Sequence, residues 1–350
     1  MGLFILRRLG VMILTALCLT FIVFYLTNLY PNLEKLAKTQ GNFRMSDEQV
    51  QSYLARNGHM QPMPIKYGQW LGVLPGWTVE VDDGVRGRCV TGTVSAEKIA
   101  EAPDFCGVLQ GYWGTSTVFR TEVGGIIAER LTLTGILMFW VVVLMVPSAL
   151  ALGVLAGMRE GTRTDRSLST FAIVTTATPE YVSGVILIAV FASSASGLRW
   201  FKGTATSAME NPNFENFFLP VLTIALYGMG YIARMTRASM AEVMTAQYIR
   251  TARLKGVTFS NIVMRHALRN ALIAPFTVIM LQFPWLLNGV VIVETLFNYK
   301  GFGWTLVQAA SNNDIELLLG VSVVSVFVVL ITQLISDIGY VYLNPRISVS

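Results

Sequence analysis

The stretch LTLTGILMFWVVVLMVPSALALGVLAGM, residues 131–158, decides the fold class of this chain. It contains no Asp, Glu, Lys or Arg in 28 residues. About 20 apolar residues in an α-helix cross a bilayer core of roughly 30 Å. The stretch therefore predicts a transmembrane helix. Pro147 inside it predicts a kink, which a helix bundle tolerates because neighbouring groups satisfy the freed backbone atoms.

Five similar apolar stretches occur elsewhere in the chain. The predicted spans lie at about 9–30, 131–158, 168–192, 217–232, 271–293 and 317–338. The chain is 53% hydrophobic and only 13% charged, whereas a soluble domain carries about 25% charged residues. The sequence thus predicts an all-α integral membrane protein with about six transmembrane helices. The first span follows Arg7 and Arg8 and lacks a small-residue cleavage site, so we expect a retained anchor helix rather than a signal peptide.

Basic residues in the short loops fall mainly on one side of the predicted spans. That side carries Arg7, Arg8, Arg159, Arg163, Arg166, the basic stretch at 239–270, and Arg346, against Arg199, Lys202 and Lys300 on the other. The positive-inside rule then places both termini in the cytoplasm of a bacterial inner membrane. The net charge of +5 is explained by these loops, which argues against a nucleic-acid groove.

This orientation divides the chain into three expected parts. Residues 1–30 form the cytoplasmic N-terminus and first helix, 31–130 form a periplasmic segment, and 131–350 form a core domain with a cytoplasmic loop at 239–270. The periplasmic segment is too long to lack structure. Strand-like alternation at 77–82, followed by Asp83-Gly84, predicts a tight hairpin.

Two cysteines lie in that periplasmic segment. In an oxidising compartment Cys89 and Cys106 would pair, and the bond would add about 3 kcal/mol by constraining the unfolded chain. Two unpaired thiols are the alternative. No His or Cys spacing typical of a metal site occurs, so we expect no metal.

The segment YIRTARLKGVTFSNIVMRHALRNALIAP, residues 248–275, carries the clearest functional signal. Residues 241–255 are good helix formers without Gly or Pro, and Gly256 follows where a left-handed C-terminal cap is usual. Ser260 can cap a second helix. The pattern predicts two cytoplasmic helices joined by a glycine bend. They would contact either a protein partner or anionic lipid headgroups, and physical reasoning alone does not separate the two.

This segment resembles the cytoplasmic EAA loop of permease subunits of bacterial binding-protein-dependent ABC importers. Arg250-Thr251-Ala252 stands at the Glu-Ala-Ala position, and Gly256 matches the glycine of that motif. The sequences RTARLKG at 250–256 and RHALRNA at 265–271 resemble the dipeptide, oligopeptide and nickel permease subfamily. Further resemblances follow in the same order along the chain, at 6–9, 126–131, 234–240, 293–297, 301–303 and 343–346. Residues 73–107 look like an insertion.

The resemblance implies a type I ABC importer permease fold, in which this chain forms half of the translocation pathway for peptides or a related small solute. The implied partners are a second homologous permease subunit, two cytoplasmic ABC ATPase domains, a periplasmic or lipid-anchored substrate-binding protein, and membrane lipid. The residues expected to couple to the ATPase are Tyr248, Arg250, Thr251, Ala252, Arg253, Lys255, Gly256 and Arg265.

ATP chemistry is expected on a partner chain. A phosphate-cradling loop needs the pattern G-x-x-x-x-G-K-[ST], and no Gly-Lys-Ser or Gly-Lys-Thr occurs in this sequence. We therefore expect a transport subunit that is not itself an enzyme and holds no cofactor, with ATP and Mg bound by the partner ATPase subunits.

Intramembrane polarity suggests residues of the translocation pathway. Glu180 follows Pro179 near the middle of the third predicted span, beside Thr176 and Thr178. A carboxylate at that depth is costly unless it is paired or faces water. Glu180 is therefore a pathway residue, a partner of a structural ion pair, or the end of a helix broken by proline. Glu294 near the end of the fifth span would act in gating or in folding of the connector that follows.

Two other classes of protein compete with the importer subunit. A secondary transporter or channel that works alone would show inverted repeats and paired intramembrane charges, and no clear repeat is evident. A membrane enzyme would need clustered His, Asp or Glu at membrane depth, where Glu180 has no evident catalytic partner.

Overall fold

The computed structural model describes residues 2–81, 84–90, 92–195 and 197–343. Helices dominate this part of the chain. The long helices are α1 (Gly2–Thr27), α6 (Val123–Met158), α7 (Arg163–Ala177), α8 (Glu180–Phe191), α9 (Phe214–Met244), α13 (Ile273–Leu296) and α15 (Ile315–Leu343). The shorter ones are α2 (Tyr30–Gln40), α3 (Asp47–Arg56), α4 (Met63–Leu71), α5 (Ala96–Glu101), α10 (Gln247–Leu254), α11 (Phe259–Asn261), α12 (Leu268–Ala271) and α14 (Phe302–Ser311).

The helices are long and apolar enough to make a membrane protein. Among the described residues, four could each cross a bilayer, namely Leu6–Thr27, Val123–Met158, Phe214–Met244 and Ile315–Gly339. The number rises to six if each of two bent helix pairs counts as one span. The all-α membrane fold predicted from the sequence is confirmed.

The third predicted span is not a continuous helix. Helices α7 and α8 are bent by 109° at a break before Glu180. Thr178 is extended, with φ −90° and ψ 121°, because the ring of Pro179 disfavours a helical residue before it. Pro179 also lacks the N–H that a continuous helix would use. The segment predicted as one interrupted span at 168–192 is therefore two helices at a large angle.

The chain divides into two compact units. The core unit comprises Met1–Arg8, Leu131–Trp304 and Val328–Ser350, and the N-terminal unit comprises Leu9–Arg130 and Thr305–Phe327. Residues 344–350, which include all but the first residue of the motif at 343–346, lie outside the described residues.

Helix α9 forms the centre of the core unit. Buried residues lie along most of its length, and 72% of its most apolar 18-residue stretch is buried. Such burial is typical of a helix enclosed by others. Gly153 of α6 allows close approach, since a Cβ there would lie 2.4 Å from Cβ of Thr236 on α9. Small residues at such crossings let helix backbones pack tightly in membranes.

The N-terminal unit has its own apolar core. Helices α1 to α4 and the start of α15 bury Phe24, Leu33, Leu54, Trp70 and Leu319 against one another. Helix α3 begins with a capping box in which Ser46 and Gln49 exchange hydrogen bonds between side chain and backbone. The segment between the first two spans is therefore folded, and helices are the main regular structure in it.

A small antiparallel sheet adds to this unit. Its strands are β1 (Thr78–Val81), β2 (Gly84–Gly87) and β3 (Thr93–Val94), and Thr78 pairs with Gly87. The hairpin predicted from Asp83-Gly84 is present, but Gly84 is the first residue of β2 and pairs with Val81, and residues 82–83 lie outside the described residues. Cys89 and Cys106 are bonded in the structure and tie the end of the hairpin to the strand-free segment before Val108.

His59 is a buried titratable group of the N-terminal unit. Burial, followed by the positive charges of Lys66 and Arg88, lowers the pKa of His59 to about 4, below the ordinary value of about 6.5. Between these two pKa values, His59 binds a proton in the unfolded chain but stays neutral in the folded unit. Stability should therefore be full above pH 6.5 and fall by about 3 kcal/mol as the pH drops to 4.

We expect His59→Gln to flatten the pH dependence of thermal unfolding between pH 7 and 4. The matched control is His266→Gln, because His266 is the other histidine of the chain and is exposed. Unfolding followed by circular dichroism in detergent should give parallel pH profiles for the control and the parent protein. A parent profile that His59→Gln leaves unchanged would contradict the assignment.

Candidate functional site

Helix α10 ends in a glycine bend with complete hydrogen bonding. The N–H of Gly256 donates to the carbonyl of Arg253 at 3.0 Å, and the N–H of Val257 donates to the carbonyl of Ala252 at 3.2 Å. Gly256 has φ +74°, in the left-handed region where glycine is favoured. These two bonds form a Schellman motif, and Val257 packs against the apolar cluster to which Ala252 belongs.

One face of α10 packs against the chain itself. Ile249 is fully buried and Ala252 is 9% exposed. They join an apolar cluster with Met240 of α9 and with Ile262 and Ala267 of the following segment. The short helix is thus fixed to the core unit by burial on one side.

The opposite face of α10 is open. Leu254 is 82% exposed and Tyr248 is 42% exposed. The predicted coupling residues Arg250, Thr251, Arg253, Lys255, Gly256 and Arg265 are all exposed, while Ala252 lies on the buried face. Within 239–270 there are five Lys or Arg residues and one acid, Glu242. The open face therefore combines an apolar tip with positive charge.

Two details of this loop differ from the sequence expectation. The predicted helix at 241–255 is broken, because α9 ends at Met244 and Ala246 is extended with ψ 148° before α10 begins. Thr258, not Ser260, stands at the N-cap position of the next helix. That helix continues through a π-helical turn at Ile262–Ala267 into α12. Because α10 is separate from α9, it can bury Ile249 without continuing the direction of α9.

The predicted pathway residues lie near the bend between α7 and α8. Glu180 is in the first turn of α8, where a negative charge suits the positive end of the helix dipole, and it is half-buried. Thr176 and Thr178 donate to backbone carbonyls of their own helix, to Ala172 at 2.7 Å and to Val174 at 2.8 Å. The two hydroxyls therefore hydrogen-bond to carbonyls near the end of α7 and not to each other.

Glu294 lies in a different environment from Glu180. It is fully buried, and its carboxylate accepts a short hydrogen bond from the Thr134 hydroxyl and one of 2.9 Å from the backbone N–H of Trp304. Thr134 in turn accepts from the N–H of Phe302 at 2.8 Å. A Cβ at position 301 would lie 2.2 Å from Oε1 of Glu294, so this position needs glycine. Glu294 therefore organises the connector between α13 and α14.

Comparison with known proteins identifies the family. Residues 149–349 match the family model described as "Binding-protein-dependent transport system inner membrane component". The chain belongs to this family. It is the transmembrane permease subunit of an ABC importer and a multi-pass inner-membrane protein, as predicted from its sequence.

Several named permeases are similar over most of their length. A Sinorhizobium fredii protein named "Probable peptide ABC transporter permease protein y4tP" is 35% identical over 69% of this chain and 77% of its own. The oligopeptide transport system permease protein AppB of Bacillus subtilis is 33% identical over the same shares. The glutathione transport system permease protein GsiC of Salmonella choleraesuis is 32% identical over 69% and 76%.

The permease also contains ion pairs that connect distant helices. Arg237 of α9 holds Asp165 of α7 in a bidentate pair, with N···O distances of 2.6 and 2.8 Å, and Asp165 is 3% exposed. The two residues are 72 positions apart, so no local pattern could predict the pairing. Arg8 of α1 pairs with Asp337 of α15, 329 positions away.

Within the described ranges, no cluster of three or more His, Cys, Asp or Glu side chains could hold a metal ion.

We expect Thr134→Val to lower the free energy of unfolding by about 2 kcal/mol, because two buried hydrogen bonds to Glu294 and Phe302 lose their partner. Thr295→Val is the control, since Thr295 is exposed and bonds only the Val291 carbonyl of its own helix. Thermal unfolding of the two variants in detergent gives the comparison. Equal melting temperatures for both variants would refute the organising role of Glu294.

Proposed function

We propose that this permease forms half of the pathway of an ATP-driven importer for peptides or a related small solute. The similar permeases named above act on peptides, oligopeptides and glutathione, which supports this substrate class. A second homologous permease subunit would complete the pathway. A substrate-binding protein, periplasmic or lipid-anchored, would deliver the solute from outside.

The single observation that carries the mechanism is the geometry of α10. Its apolar tip, Leu254, is 82% exposed although the rest of the helix is anchored through Ile249. An exposed leucine beside arginines fits a cleft in a protein partner. We propose that each of two cytoplasmic ATPase domains receives such a helix, with ATP and Mg bound on the ATPase. Both termini of the permease would then be cytoplasmic, as its basic loops favour.

Nucleotide-driven movement would reach the membrane through the anchor of α10. Ile249 and Ala252 pack against Met240 at the cytoplasmic part of α9 and against Ala271 near the start of α13. Ser239 adds a hydrogen bond of 2.8 Å to the Ala271 carbonyl. A displacement of α10 therefore pulls on two long helices together. Tyr248 contributes as well, since its hydroxyl accepts a hydrogen bond of 3.0 Å from the side-chain amide of Asn270.

We predict that Gly256→Pro uncouples ATP hydrolysis from uptake while the protein still inserts in the membrane. Proline requires φ near −65° and cannot adopt the +74° of this position, so the cap and the direction of the chain after α10 are lost. Uptake should fall at least tenfold in proteoliposomes that contain the complete transporter, with ATPase activity retained.

The matched control is Gly256→Asn, since asparagine tolerates the left-handed region and a Cβ at this position meets nothing within 4 Å. It should keep most of the uptake. Normal uptake by Gly256→Pro, or equal loss in both variants, would refute the coupling role of the bend.

Glu180 remains our proposed pathway residue, with Thr176 and Thr178 beside it. Its place at the break between α7 and α8 supports a polar, hydrated surrounding, whereas the fully bonded Glu294 is better suited to folding the connector. A half-buried carboxylate could meet the ammonium group of a peptide.

We predict that Glu180→Gln changes the KM or the maximal rate of uptake severalfold without loss of assembled complex. Glu215→Gln is the control, because Glu215 is also in the first turn of its helix but is exposed. Uptake rates should be measured at several concentrations of labelled peptide, with complex content from size-exclusion chromatography. Identical kinetics for Glu180→Gln and the parent would remove this residue from the pathway.

A further inference from the structure

The N-terminal unit contains a small polar cavity of about 40 Å³. Its polar walls come from α4, the chain just after β2, the first turn of α15, and the turns that follow α1 and α3. Two tryptophans, Trp70 and Trp77, also line it. The polar residues that line it are Asn28, His59, Lys66, Gln69, Arg88 and Glu316. This cavity belongs to none of the sites described above.

Buried polar atoms without partners concentrate at this cavity. Among the described residues, Oε1 of Gln69, Nε1 of Trp70, Nη2 of Arg88 and Oε2 of Glu316 are buried and accept or donate no hydrogen bond. Trp70 is 2% exposed and Gln69 is 7% exposed. Lys66 is also buried, and its hydrogen bond to Asn28 is long, at 3.5 Å. Buried polar groups in proteins nearly always have partners, so this arrangement indicates a bound ligand.

The chemistry of these four atoms selects the ligand. Trp70 and Arg88 offer donors, whereas Gln69 and Glu316 offer acceptors. An anion would be repelled by the lone pairs of the two acceptors, and a metal cation would be repelled by the hydrogens of the two donors. Water both donates and accepts. One water needs about 10–15 Å³ of such space and two to four polar partners, so a cavity of this volume holds two or three.

We propose that two or three ordered water molecules bind in this cavity and bridge Arg88 to Glu316. The bridge gives the disulfide-bonded hairpin a polar connection to the first turn of α15. Arg88 is held at the cavity by its neighbours, since its Nε donates to the Cys106 carbonyl at 3.1 Å and Cys89 follows it directly in the chain. This proposal is independent of the importer mechanism, because it concerns the N-terminal unit alone.

A double-mutant cycle tests the bridge. Arg88→Met and Glu316→Gln should each lower the melting temperature of the purified permease by a few degrees. The double variant should lose no more than the larger single loss, because one water bridge is broken in all three. Strictly additive losses would overturn the proposal.

The control cycle uses Arg86→Met with Glu316→Gln. Arg86 lies on the same hairpin but bonds Thr93 and Asn57 instead of lining the cavity. Its effect should add to that of Glu316→Gln. The same coupling in both cycles would mean that the effect is not specific to Arg88, which also overturns the bridge.

A density map of the parent transporter tests the ligand even if a variant fails to fold. At a resolution near 2 Å, two or three water peaks within hydrogen-bond distance of the four atoms would support the proposal. A direct contact between Arg88 and Glu316, or an empty cavity, would overturn it. Stabilisation that rises with chloride, relative to gluconate, and vanishes in Arg88→Met would identify an anion instead and also overturn it.

Discussion

The left-handed turn at Gly256 is the constraint on which the open face of α10 depends. A helix of eight residues gains little stability from its own backbone, so α10 must be held by its ends and by one buried face. The Schellman bonds satisfy the carbonyls at its C-terminal end, and Ile249 and Ala252 supply the buried face. Only because both are satisfied within the chain can the opposite face remain free for a partner.

Burial of charge imposes a second constraint on the helices behind α10. Glu294 and Asp165 are buried and accept hydrogen bonds from Thr134 and Arg237, which are distant in the sequence. Asp337 is part-buried and accepts from Arg8 at the other end of the chain. A carboxylate without such donors is costly in a medium of low dielectric constant. These contacts therefore fix which helices of the core unit can pack together. Glu180 differs because it lies at a helix break and is only half-buried.

Apolar composition and loop charge predicted the membrane class and most spans, because a stretch of about 20 apolar residues has few alternatives. The bend at Gly256 was also predictable, since glycine after a basic turn is a local signal. The 109° break at Pro179 was underestimated, because a proline inside a span can kink a helix or end it, and packing decides which. The same holds for the break at Ala246.

Partners distant in sequence could not be predicted. Nothing local in the chain connects Thr134 with Glu294, or Asp165 with Arg237, since these pairs depend on helix packing. The polar cavity likewise forms from α4, the hairpin and α15 together. The three short helices α2 to α4 have ordinary amphipathic patterns, but the mixed composition of 31–130 made that segment look less helical than it is.

Chemical cross-linking from the tip of α10 tests the central claim most directly. In a background with Cys18→Ser, the assembled transporter would carry Leu254→Cys, with Ile249→Cys as the buried control. A short bifunctional reagent should link Leu254→Cys to the ATPase subunit and leave Ile249→Cys unlinked. If the thiol at 254 instead reacts with a water-soluble maleimide equally well with and without the ATPase, and forms no cross-link, then α10 does not occupy an ATPase cleft and the account is contradicted.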